Sequence, residues 1–162
     1  MKTFTFEKLP ENVDELKAMP EASLDDPYAV AALTAAVLCR YEASAEDACA
    51  MLDFLKGPRP LSPFEKQFLR DRLVGKAYVP RSYFAGTSPE NDYEPSKPYA
   101  VTVFENPYSF GTEGYATLWI TSSGADTPRQ VQMRKAKGDI WYLWENFLLP
   151  DIRTPASLDP WA

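Results

Sequence analysis

Apolar residues in this chain follow two spacings, and the change falls near residue 99. Before it they recur at helical spacing; after it they alternate with polar ones, as on a strand. "NVDELKAM" makes about two helical turns, with Asn12 as N-cap and Pro20 as the stop. In "DDPYAVAALTAAVLCRY", Asp26 caps, Pro27 takes the first helical position, and apolar residues fill nearly every face through Tyr41. A helix apolar all round lies at the centre of a fold. "SAEDACAMLDFLKG" follows, with Ser44 as cap, Asp47 as its reciprocal partner, Gly57 past the end, and a stripe of Ala48, Met51, Leu52 and Leu55.

"GPRPLS" is a stiff link into a fourth helical segment, "SPFEKQFLRDRLVG". Ser62, Pro63 and Glu65 form a full start signature there, and Gly75 marks the end. Phe64, Phe68, Leu69 and Leu73 are expected to face inward, with Lys66, Arg70 and Asp71 in water. At the start of the chain, "TFTFE" alternates Phe4 and Phe6 and reads as a short strand.

Beyond residue 99, "YAVTVFE", "YATLWIT", "RQVQMRK" and "IWYLWE" read as four strands. The short, turn-rich segments between them favour antiparallel neighbours. Helices gathered before strands give an α+β fold: a layer of three to four helices packed on a four-stranded antiparallel meander. The expected organisation is a single domain over residues 1–162. Its parts are a mainly helical part at 1–75, an extended strap at 76–98, an antiparallel sheet at 99–146 and a docked tail at 147–162. Phe147, Leu148, Leu149, Ile152 and Trp161 make that tail too apolar to stay free.

The strands differ between their faces. Ala116, Leu118 and Ile120 share one side of "YATLWIT"; Tyr115, Thr117, Trp119 and Thr121 share the other. In "IWYLWE", Ile140, Tyr142 and Trp144 oppose Trp141, Leu143 and Glu145. A sheet with helices on one side needs a single apolar face. A second face that is aromatic and amphipathic either binds something or is covered by the strap or tail.

Composition removes several chemistries. The formal charge of −6 argues against nucleic acid as partner, because phosphate binding rests on Lys and Arg. A basic strip, "RQVQMRKAK", splits its charges: Arg129 and Lys135 go with Val131 and Met133, whereas Arg134 goes with Gln130 and Gln132. Histidine is absent, which leaves no Ser-His or Cys-His arrangement and only carboxylates, Lys and Tyr as acid–base groups. Cys39 and Cys49 have no metal-ligand or redox spacing and are expected to be buried free thiols. "SSGAD" at 122–126 is a turn rather than a nucleophile elbow, and "PENDYE" lacks the glycine and terminal glutamate of a calcium loop. Glu105 and Glu145 at strand ends read as surface residues. No catalytic residue, metal or cofactor is implied. There is no apolar run of signal-peptide or membrane-span length, so a cytoplasmic protein that engages no membrane is expected.

The segment "SYFAGTSPENDYEPSKPY" at 82–99 is long for a structureless loop. Pro89, Pro95 and Pro98 hold it extended, while Tyr83, Phe84, Tyr93 and Tyr99 offer anchors. It reads as a strap closing the junction of helices and sheet, and also as the rim of a site. With "DDPYAVAALTAAVLCRY", "LKGPRPLSPFEKQFLRDR", "SSGADTPRQVQMR" and "WYLWENFLLPDIRTP", it resembles an uncharacterised bacterial family, a domain of unknown function found in gut anaerobes. That resemblance implies one compact domain and brings no activity.

Two functions follow as expectations. One is a non-catalytic interaction domain using the aromatic sheet face and the strap, with Tyr83, Phe84, Tyr93, Tyr115, Trp119 and Arg129 as binding residues and a protein partner or second copy as ligand. The other is a small-molecule binder or enzyme with a pocket like that of nuclear transport factor 2, using carboxylate or Tyr chemistry.

Overall fold

The computed structural model describes residues 1–161. Five helices, α1 (Val13–Lys17), α2 (Pro27–Leu38), α3 (Ala45–Lys56), α4 (Pro63–Leu73) and α5 (Tyr78–Arg81), pack against one sheet. Its strands are β1 (Lys2–Phe6), β2 (Tyr99–Phe104), β3 (Tyr115–Ile120), β4 (Arg129–Ala136) and β5 (Ile140–Asn146), in the order β1-β2-β3-β4-β5. All neighbours run antiparallel. The architecture is α+β, with five strands where the expected meander has four. Phe4 lies opposite Val101 and Phe6 opposite Tyr99, so the "TFTFE" strand extends the sheet at its β2 edge. Its period of two is a local signal; its partner lies far along the chain and leaves none.

The helix starts follow their side chains. Asn12, Asp26, Ser44 and Ser62 each accept a backbone N–H of the first turn, and Ser62 and Glu65 make both bonds of a capping box. α2 stops at Leu38 and continues as turns through Tyr41. From Ala29 to Leu38 every residue of α2 is buried, and the helix touches all five strands. Val101, Val103, Ala116, Leu118, Ile120, Val131, Met133 and Leu143 meet it from the sheet, in the alternation expected of β3.

Two helical expectations change. Leu69 and Leu73 of α4 are buried, but Phe64 is 79% exposed and Phe68 lies at the surface as well. Only half of the expected inward stripe reaches the core, because α4 meets the body along one narrow line. The strap is not extended throughout either. It contains α5 and a single 3-10 turn at Pro89–Asn91, which Ser88 and Asn91 cap reciprocally.

Side chains of the 82–99 segment bond to the tail. Tyr83, Phe84 and Tyr93 are all buried. The Tyr83 hydroxyl donates to the Leu148 carbonyl and the Tyr93 hydroxyl to that of Arg153, the latter at 2.7 Å. Ser122 donates to the Ser82 hydroxyl at 2.7 Å, and Thr87 meets Ser123 at 2.8 Å, joining the strap to the β3–β4 turn. That turn has no room to spare: a Cβ on Gly124 would stand 2.8 Å from the Ile152 side chain of the tail. Leu148 and Leu149 complete the core.

Candidate functional site

The outer face of the sheet carries a row of large side chains set by register. Tyr115 on β3 lies opposite Arg134 on β4, which lies opposite Tyr142 on β5. One step along, the ladder slips: Gln132 pairs with Glu145 and Met133 with Leu143, so Trp144 has no cross-strand partner of its own. A bulge of this kind re-aims a side chain. The Trp144 ring stands edge-on to Tyr115, with centroids 6.0 Å apart and planes at 79°. The Arg134 guanidinium lies over both rings, 4.8 Å from the Trp144 centroid and 5.6 Å from that of Tyr115.

A second arginine arrives from outside the sheet. α3 ends at Gly57 with φ +64°, and a Cβ there would overlap the Tyr142 ring, with Cζ at 2.7 Å and the nearer ring atoms closer still. Glycine alone therefore lets the link 57–62 cross against β5. The turn brings Arg59 over Trp144, its guanidinium 4.4 Å from the ring centroid. Beneath, the buried Lys56 ammonium donates to the Trp144 carbonyl and pairs with Glu65, both at 3.2 Å. Among the described residues, neither Arg59 nor Arg134 pairs with a carboxylate, and both are exposed. They border an open concavity of about 350 Å³ with Pro58, Lys135, Tyr142 and Trp144.

On the other side of β5 lies an apolar groove of about 280 Å³ between α4 and the start of the tail. Phe64, Phe68, Leu69, Leu143 and Phe147 line it, and Lys56 and Glu145 stand at its border. Lys56 is common to both concavities. The β5 edge itself is partly closed, since Trp141 N–H donates to Leu24 O at 2.7 Å and Lys56 takes the Trp144 carbonyl.

The residues expected to bind separate into two groups. Tyr83, Phe84 and Tyr93 lie inside the fold, and the Tyr83 and Tyr93 hydroxyls bond to the tail. Arg129 donates to the carbonyls of Thr127, Pro150 and Asp151, which ties β4 to the tail. Tyr115 is part of the outer row. Trp119 is on the same face and half-buried, and its indole N–H is out of solvent with no partner. The link brings Pro58 and Arg59 against the outer row. Arg59, Arg134 and Trp144 were not among the expected site residues. Alternation put Arg134 and Trp144 on this face, whereas Arg59 has no local signal.

Acid–base groups are placed less suggestively. Glu105 is exposed, takes the Met1 ammonium at 2.6 Å and the Tyr28 hydroxyl at 2.8 Å, and is held below the ordinary carboxylate value by them. Burial pushes the Cys39 thiol up to about 12 and raises Cys49 too, so neither is a thiolate near neutral pH. Both are free and half-buried. No helix among the described residues is long and apolar enough to cross a membrane.

Fold and surface together define an α+β domain built on a five-stranded antiparallel meander, with one central helix on the inner face and an aromatic, arginine-bearing outer face. The chain belongs to the family described as a domain of unknown function (DUF6935), whose model matches residues 8–156. No curated protein and no solved structure matches it.

Proposed function

We propose that the protein is a non-catalytic, cytoplasmic interaction domain that holds a protein partner on the outer face of its sheet, around Tyr115, Arg134, Trp144 and Arg59. The observation that carries this reading is the meeting of two exposed, carboxylate-free guanidiniums on one indole in a chain of net charge −6. Arg40 and Arg153 pair with carboxylates, whereas Arg59 and Arg134 meet on one indole instead. Two left open beside aromatic rings supply the residue types in which binding energy concentrates. The strap serves this reading as the closure that keeps the sheet rigid, rather than as a contact surface.

The pocket reading draws less support. A pocket like that of nuclear transport factor 2 needs a hollow between helices and sheet, and α2 fills that space with Val30, Leu33 and Val37. The test is capture from native lysate by the tagged wild type and by Arg134→Gln, read by mass spectrometry with thermal melts as control. A stoichiometric protein retained by wild type and lost by the variant supports the reading. Capture of a second copy of the chain instead would make the face a homodimer contact, and identical capture by both proteins would remove the face as the site.

A further inference from the structure

We infer that the partner segment is acidic and amphipathic, setting a carboxylate on Arg59 and Arg134 and an adjacent bulky apolar side chain in the groove between α4 and β5. This rests on the interaction reading above and names the chemistry of its ligand. The two arginines supply planar N–H edges suited to bidentate carboxylate recognition, while their stacking on Trp144 limits the freedom lost on binding. The other two cations at that concavity are engaged, Lys135 by Asp139 at 3.0 Å and Lys56 by Glu65 at 3.2 Å, so the open positive charge is that of the two guanidiniums.

The groove beyond β5 has the opposite character. Phe64, 79% exposed, and Phe147, 45% exposed, form its walls, and its border carries the Glu145 carboxylate. Glu65 is also present but is neutralised by Lys56. An acidic side chain is repelled there and an apolar one is accepted. Lys56 touches both concavities, so a single segment passing over the end of α3 reaches each of them. The capped β5 edge disfavours a ligand that adds as a further strand, so side chains rather than backbone pairing supply recognition. Single-stranded nucleic acid is the competing polyanion for an arginine-aromatic surface. It is disfavoured because only two unpaired cations are offered and the chain as a whole repels phosphate.

The probe is a fluorescein-labelled peptide alternating Glu and Phe, titrated into the full chain at low salt and followed by anisotropy. Its companions are a Lys–Phe peptide, a Glu–Ser peptide and labelled oligothymidylate. The Glu–Phe peptide is expected to bind, the Lys–Phe peptide not to bind, and the Glu–Ser peptide to bind at least tenfold more weakly. Arg59→Gln with Arg134→Gln should weaken Glu–Phe binding at least tenfold; Phe64→Ser should weaken it while leaving Glu–Ser binding unchanged. Equal binding of the Glu–Phe and Lys–Phe peptides, no effect of the arginine pair, or tighter binding of oligothymidylate each overturns the inference. If no peptide binds while lysate capture still depends on Arg134, the acidic-segment chemistry falls and the interaction reading stands.

Discussion

Lys56 keeps its ammonium 3.2 Å from the Glu65 carboxylate while its side chain is only 4% exposed. This pair fastens the end of α3 to the start of α4, and through the Trp144 carbonyl it fastens both to β5. Burial pushes the Glu65 carboxyl up, but the Ser62 N–H and the Lys56 ammonium outweigh it and hold the group below its ordinary value of 4.5. A carboxyl held low in the folded state adds stability that is present in full above its unfolded value and lost as pH falls through the folded one. Glu65→Gln should therefore melt below wild type at pH 7, and the gap should close as the pH drops below 4.5. Melts across that range check it. Lys56→Met leaves Glu65 and the Trp144 carbonyl short of a partner and should cost about 2 kcal/mol at neutral pH.

Gly57 is the hinge on which the link reaches the sheet. Its φ of +64° disfavours any side chain, and a Cβ would overlap the Tyr142 ring. Gly57→Ala is expected to destabilise by about 2 kcal/mol or more from backbone strain and overlap combined. It should also displace Arg59 from Trp144. The tryptophan emission should then change in Gly57→Ala but not in Gly75→Ala, whose φ of +72° is as strained for a side chain but whose surroundings are open. An unchanged melt for Gly57→Ala would mean that the link does not press on the sheet.

These two positions also show where sequence reasoning reaches and where it stops. Helix caps are local chemistry, so Asn12, Asp26, Ser44 and Ser62 could be placed from their neighbours, and each makes its bond. Alternation separated Leu118 from Trp119, and the inner face follows it. Helical spacing puts the phenylalanines of α4 inside; Phe64 is outside because a helical stripe says which residues align, not how wide the contact is. Aromatics in a loop read equally as binding residues and as anchors, and Tyr83, Phe84 and Tyr93 are buried. Arg59 carries no local signal. Its place depends on a glycine turn, a bulge at Trp144 and a strand far along the chain.

The strap should come loose when its tyrosine hydroxyls are removed. Tyr83 and Tyr93 each donate one hydrogen bond to a tail carbonyl, of Leu148 and Arg153. Tyr83→Phe leaves the buried Leu148 carbonyl without that donor and should cost about 1 to 2 kcal/mol. Tyr93→Phe should cost less, because the Arg153 carbonyl is nearer solvent. Limited proteolysis gives the second readout: cleavage between residues 150 and 160 should accelerate in both variants while cleavage in α2 does not. Equal protection of the tail in wild type and variants would show that the hydroxyls do not hold it.

Trp119 carries the least expected prediction. Its indole N–H is buried with no acceptor, a condition that costs about 1 to 3 kcal/mol relative to a satisfied group. On β3 it lies between Phe104 and Gln130, so its ring contributes packing while its nitrogen contributes a penalty. Replacing it with Phe removes both the orphan donor and some apolar area, and the two changes oppose each other. Trp119→Phe should stay within about 1 kcal/mol of wild type, whereas Trp119→Ala should lose about 1.5 to 3 kcal/mol because it removes the ring's buried apolar area. Chemical denaturation of the three proteins compares them directly. A loss in Trp119→Phe as large as in Trp119→Ala would mean that the nitrogen is satisfied in solution, by a bound water or an acceptor on a partner. That outcome would return Trp119 to the binding surface beside Tyr115.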